Sequence, residues 1–342
     1  MRNLIVSLMA FILTALFVSG CSSPFGGSTL VALPVDGEPG PEDWEKAVPL
    51  DMRVWMGNVN IPEEIASLDL ETSHRSTPEC HHGPSTSDPV DIRIQALYNR
   101  EELFLLLRWT DQTRDAHLGS WQLGPEGWIA RPRADDGVAI LWMPLEERAE
   151  EPAGPGGEAG AFRCQSACHM REVDVYDGGT KMRMEMRSAR GKKMDLWRWR
   201  AAVTGPYGLA DDMVIDDRGK RGDEGQVLPL ENRSPSAAGP KQASGSAAPY
   251  YLVEEPRGRQ REVKAAGLWE GGRWQLLLKR ALVTDDPDDV PYVPGGSMPF
   301  SLSVFDNTFT EHHVMDGSAV LVLWRGEGPG NKERQIDEAM DL

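Results

Sequence analysis

The chain has 342 residues, 40% of them hydrophobic and 26% charged, which allows a full buried core and excludes both a multi-span membrane protein and a disordered chain. Its 53 acidic residues outnumber 36 basic ones for a formal charge of −17, a balance that argues against a nucleic-acid binder. Four cysteines are too few for a disulfide scaffold of this length, so each calls for its own role.

The first element is an export signal. Arg2 precedes an apolar run from Leu4 to Val18 that carries no charge and is too short and wrongly flanked for a spanning helix. Val18-Ser19-Gly20-Cys21 resembles a bacterial lipobox, in which Cys21 becomes the lipidated first residue of the mature chain. Stable anchoring takes more than one acyl chain, and such an anchor places the protein on a membrane surface outside the cytoplasm, in the periplasm or at the cell surface. Residues 21–45, rich in Pro, Gly and acids, read as a tether.

Strand signals follow over 46–325. Asp51 to Trp55 and Val90 to Tyr98 alternate, whereas Leu103 to Trp109 and Val138 to Met143 are nearly continuous apolar runs. Trp274 to Leu278, Phe300 to Phe305 and Ala319 to Trp324 complete the set. Two-residue alternation with Gly, Asp and Asn punctuation predicts an all-β, antiparallel β-sandwich. Residues 146–160 and 218–248, low in complexity, read as surface insertions in this one domain, and 326–342 as a polar tail.

Phe162 to Met170 reads FRCQSACHM, with three residues between Cys164 and Cys168 and His169 next to the second. Covalent haem attachment needs two thiols that meet the two vinyl groups, and a histidine beside the second thiol that reaches the iron. The common spacing has two intervening residues and this chain has three. A local disulfide, which closes almost no loop, and a zinc or other metal site are the alternatives.

Lys193 to Asp212 adds a second group of motifs, KMDLWRWRAAVTGPYGLADD. With the FRCQSACHM loop and the strand Met298 to Asn307, it resembles the haem-binding domain of the ethylbenzene dehydrogenase γ-subunit type, also called the cytochrome c/dimethylsulfoxide-reductase-like haem-binding domain. The matching positions are Cys164, Cys168 and His169; then Asp195, Leu196, Trp197 and Trp199; then Gly208, Ala210, Asp211 and Asp212. The resemblance spans about residues 46–325. It implies a β-sandwich that holds one haem c in end loops and transfers electrons, with His169 as proximal ligand. Some relatives are subunits of molybdenum enzymes that hold a non-covalent haem through Met and Lys, a ligand pair not carried over to a chain with the thiol pair. Trp197 and Trp199 are expected either along the porphyrin or in the nearby core.

The second iron ligand has three sets of candidates. His312 or His313 follows the Phe300 to Phe305 strand and ranks first; His81 or His82, in an irregular loop, ranks second. Met182, Met184 and Met186 alternate with charged residues on one face of a strand and rank third; a Met ligand raises the potential relative to two histidines. Cys80 is the odd thiol, either a free or buried group or part of a second haem or metal site with His81 and His82. Between Lys181 and Arg200 the charge is locally positive, which suits haem propionates or docking of an acidic redox partner.

The expectation is therefore a lipid-anchored c-type cytochrome that passes single electrons to redox partner proteins. The electron-transfer subunit of a molybdenum oxidoreductase and a non-redox, carbohydrate-binding sandwich are the alternatives. No convincing nucleophile, phosphate loop or carboxylate pair points to an enzyme acting alone.

Overall fold

The computed structural model describes residues 29–56, 89–143, 168–174, 180–188, 192–222, 230–231, 246–307, 312–315 and 318–325. The strands are β1 (Thr29–Pro34), β2 (Leu50–Met56), β3 (Val90–Tyr98), β4 (Glu102–Thr110), β5 (Gly119–Gly124), β6 (Gly127–Pro132) and β7 (Gly137–Trp142). They continue as β8 (Cys168–Asp174), β9 (Thr180–Met186), β10 (Met194–Arg200), β11 (Asp211–Asp216), β12 (Gly219–Gly222), β13 (Leu230–Glu231), β14 (Ala247–Pro249) and β15 (Tyr251–Leu252). Last come β16 (Lys264–Trp269), β17 (Arg273–Ala281), β18 (Ser297–Phe305), β19 (His313–Met315) and β20 (Ala319–Leu323). A six-residue helix, α1 (Pro41–Lys46), precedes β2. Among the described residues no helix is long and apolar enough to cross a membrane.

Thirteen strands form one sheet that doubles back on itself. One layer runs β12-β11-β10-β7-β18, the other β19-β2-β3-β4-β17-β16, and β1 and β20 help to join them. Pairing is antiparallel except where β1 lies parallel to both β20 and β3. The predicted all-β sandwich is what forms, and every predicted strand run falls on a strand, those ending at Met143 and Trp324 each reaching one residue past it.

The reason is the two-residue period. In β7 and β18, Val138, Ile140, Trp142, Phe300, Leu302 and Val304 point inward. They meet Leu103, Leu105 and Leu107 of β4 and Leu276 and Leu278 of β17 in one continuous core. Each such side chain contributes about 1.5–3 kcal/mol when fully buried. The β16–β17 hairpin closes on Gly271 and Gly272, both at positive φ, as a two-residue turn matched to the strand twist requires.

Two boundaries differ from expectation. The tether proposed for 21–45 overlaps β1, whose Leu30, Val31 and Ala32 are fully buried between β20 and β3. The short run TLVALP carries enough apolar surface to fill that slot despite its Pro- and Gly-rich surroundings. The insertion proposed for 218–248 overlaps β12, a continuation of the main sheet whose Gly219 turn is paired to Asp216. Residues 1–20, 146–160 and 326–342 lie outside the described residues.

Candidate functional site

The outer face of the β11-β10-β7-β18 layer is apolar where an ordinary sandwich shows polar residues to water. Ala139, Leu141, Leu196, Met213, Ile215 and Phe305 form a second buried cluster there, and Met186 from β9 packs on it. An apolar outer face marks a surface that something covers.

A small recess of about 50 Å³ opens on this face. Ala139, Leu141 and Leu196 make the floor; Met186, Phe305 and His312 make the wall; Arg198 and Lys220 bring positive charge. The His312 and Phe305 rings lie 5.0 Å apart at 35°, and the Arg198 guanidinium sits 4.6 Å above the other ring's centre. Ser301 and Ser303 add hydroxyls to the lining. The Ser301 Oγ is buried and has no hydrogen-bond partner among the described residues. Burying a hydroxyl without a partner is costly, so this atom suits a ligand.

The backbone of the Cys168-His169 pair reaches the same place. Cys168 begins β8, whose register sets it opposite Met186, with His169 opposite Glu185. Paired Cα atoms are about 4.5–5.5 Å apart, so the backbone of the Cys-His pair adjoins the recess wall. Cys164 lies outside the described residues, as do Cys21, Cys80, His81 and His82. Met182 and Met184 fall on β9, opposite Glu172 and Met170. Met186 lines the recess. His313 is buried at the start of β19, paired with Val304. Of the two adjacent histidines, His312 therefore lines the recess.

Trp197 and Trp199 are in the core. They occupy the face of β10 opposite Leu196 and Arg198, 1% and 2% exposed. Trp199 meets Trp109 and Trp274, at 6.3 and 5.1 Å between ring centres, while Trp197 meets Trp142 and Tyr292. The porphyrin-lining alternative is thus corrected: alternation along the strand sends both indoles between the layers. Asp195, on the same inward face, is bonded across the sandwich to Arg280 of β17 at 2.6 Å. The Arg280 guanidinium also lies 4.9 Å from the Trp197 ring. Burial pushes the Asp195 carboxyl up, against the pull of Arg280. The Asp-Leu-Trp-x-Trp segment accordingly fastens one layer to the other and offers only Leu196 and Arg198 to the recess.

The basic segment divides in the same way. Arg200 is bonded to buried Asp135, and Lys193 pairs with Asp288. Arg198 belongs to the recess. Sequence reasoning did not single out Arg198, Lys220, Ser301 or Ser303. The signal for the serines was their alternation with Phe300, Leu302 and Val304, which sends them to the opposite face.

A second feature lies at one end of the strands. Asp111 follows β4, Asp136 precedes β7 and Asp306 follows β18, and one carboxylate oxygen of each lies within 4.8 Å of the others. Burial, reinforced by the neighbouring carboxylates, pushes Asp111 up to about 7 and Asp136 up to about 8.

The sequence pattern of the family described as "Ethylbenzene dehydrogenase" matches residues 42–316. No curated protein matches the chain. Among solved structures, a family 9 carbohydrate-binding module from Caldicellulosiruptor kristjanssonii, bound to cellotriose, is similar at 8% identity and a TM-score of 0.34, covering 88% of this chain and 96% of that one. A putative carbohydrate-binding protein from Bacteroides uniformis is similar at 9% identity and a TM-score of 0.36, covering 87% and 99%.

Proposed function

The chain belongs to the ethylbenzene dehydrogenase family, and from that premise we propose that it is a haem-carrying, electron-transferring subunit of an oxidoreductase complex. Family membership favours this over the free-standing carrier that the sequence put first. It is a subunit without a reaction of its own, and the resemblance makes its catalytic partner a molybdenum enzyme.

The observation that carries the reading is the recess beside Cys168 and His169. Its residues fit a haem. Leu141 and Leu196 offer an apolar floor to the macrocycle, His312 offers an imidazole, and Arg198 and Lys220 offer positive charge for propionates. The buried Ser301 hydroxyl lacks a partner that a ligand would supply. Cys164 and Cys168 would hold the group through two thioethers, His169 would be its proximal ligand and His312 its distal one. When bound, haem supplies a one-electron couple whose potential follows its axial ligands and its burial. The floor residues would exclude water from the group, and the two cations would offset its negative charge.

The test is purification of the tagged full chain from its native host, with metal analysis of what co-elutes. Haem iron and molybdenum in one complex with a large subunit is the expected result. A haem-loaded chain that elutes alone would return the free-standing carrier, and a chain without haem would overturn the reading.

Membrane attachment through a lipidated Cys21 is part of the same proposal, supported by Val18-Ser19-Gly20-Cys21. Cys21→Ala is expected to move the protein from the membrane fraction to the soluble one. An unchanged distribution would reject the anchor.

A further inference from the structure

We infer that Asp111, Asp136 and Asp306 form a binding site for one calcium ion, which ties the two layers of the sandwich together at the strand ends. The three carboxylates come from different elements: the end of β4 in one layer, and the start of β7 and the end of β18 in the other. Calcium takes oxygen ligands at about 2.3–2.6 Å, so two oxygens on one ion can be up to about 5.2 Å apart. The 4.8 Å limit on this trio falls inside that span.

The independent pointer is an unsatisfied atom. Asp111 is 4% exposed, and its Oδ1 accepts the Thr113 N–H at 3.0 Å. Its Oδ2 is buried and accepts nothing among the described residues. A buried carboxylate oxygen without a donor or a cation is among the most costly arrangements in a protein. Asp136 is oriented by three donors: the Asp115 and Asn307 N–H groups and the Trp274 indole N–H. Neither Asp111 nor Asp136 makes an ion pair with a described residue.

The other acidic trio holds a cation of its own. Asp195, Asp212 and Asp289 are equally close together, but Arg280 stands among them, 2.6 Å from Asp195 and 3.4 Å from Asp289. There the fold supplies its own cation. Asp111 and Asp136 have no such cation among the described residues, and a hard, oxygen-seeking divalent ion matches an all-carboxylate donor set completed by water.

This inference stands apart from the haem reading and is tested on the purified full chain, stripped with chelator and titrated with calcium chloride by calorimetry and thermal melting. Binding of one ion per chain and a rise of the melting midpoint with calcium concentration are expected, because an ion bound only by the folded state stabilises it. In Asp111→Asn the affinity is expected to fall by at least about tenfold, since a ligand charge is lost. Its metal-free midpoint is expected to stay at or above that of the wild type, because a buried like-charge repulsion is gone. Asp306→Asn, at a partly exposed position, gives the same reading should Asp111→Asn fold poorly. No calcium-dependent heat or midpoint shift in the wild type, or a full response kept by the variants, would overturn the inference.

Discussion

Cys168 and Met186 stand opposite each other in the β8–β9 ladder, and the Met186 side chain packs on the apolar outer face of the sheet, in the recess that His312 also lines. One strand pair thus brings the Cys168-His169 backbone beside a cavity wall built by strands far along the chain. The same relationship sets two possible iron ligands, an imidazole and a thioether, at one recess. We expect His312 to be the ligand used. His312→Met should raise the reduction potential of the haem-loaded protein and change its oxidised magnetic spectrum to the histidine–methionine type. Met186→Leu should leave both unchanged, and the reverse pattern would assign the ligand to Met186.

The tight contact between layers at Gly267 predicts a stability loss. A Cβ on Gly267 would lie 2.4 Å from Cζ2 of Trp199, and that indole is boxed in by Trp109 and Trp274. Gly267→Ala should therefore cost about 1–3 kcal/mol through overpacking, read as a lower urea midpoint. A midpoint equal to wild type would mean that the indole can move aside.

The ion pair across the sandwich predicts an asymmetry. Asp195→Asn leaves the Arg280 charge buried with its main partner gone and should destabilise by about 3–5 kcal/mol in urea unfolding. Replacing both residues together with apolar ones, Asp195→Leu with Arg280→Met, should cost much less than either single change. A double loss equal to the sum of the two single losses would show that the pair does not act as a unit.

Strands and their inward faces were legible in the sequence because burial on a sheet repeats every two residues, and Val90 to Tyr98 was bounded to the residue. The recess was only half legible. Cys168, His169 and His312 announced themselves by residue type, while Arg198, Ser301 and Ser303 did so only by parity. Trp197 and Trp199 show why motif alone falls short: aromatic residues beside a haem motif suggest the cofactor, but their place on the inward face of β10 commits them to the core. β1 was missed because three buried residues, Leu30 to Ala32, are too few to show a period. The Asp111, Asp136 and Asp306 trio joins positions up to 195 residues apart by number, and no local pattern carries such a meeting.

The β11–β12 hairpin predicts a response to acid. Burial alone would raise the Asp216 carboxyl, but hydrogen bonds from Arg218 and Arg221 outweigh it and hold the group well below the ordinary carboxylate range. A depressed folded value means that the stabilisation is present above the ordinary pKa of about 4 and disappears as pH falls through the folded value. Melting midpoints should therefore drop more steeply for wild type than for Asp216→Asn between about pH 4 and pH 2. Parallel curves would remove Asp216 from the acid response.

The attachment of haem is tested most directly by the mass of the denatured full chain, made in a host that matures c-type cytochromes. The account predicts the polypeptide mass plus one haem, with that increment absent when Cys164→Ala and Cys168→Ala are combined. A bare polypeptide mass in the wild type, or an increment that survives loss of both thiols, would contradict it.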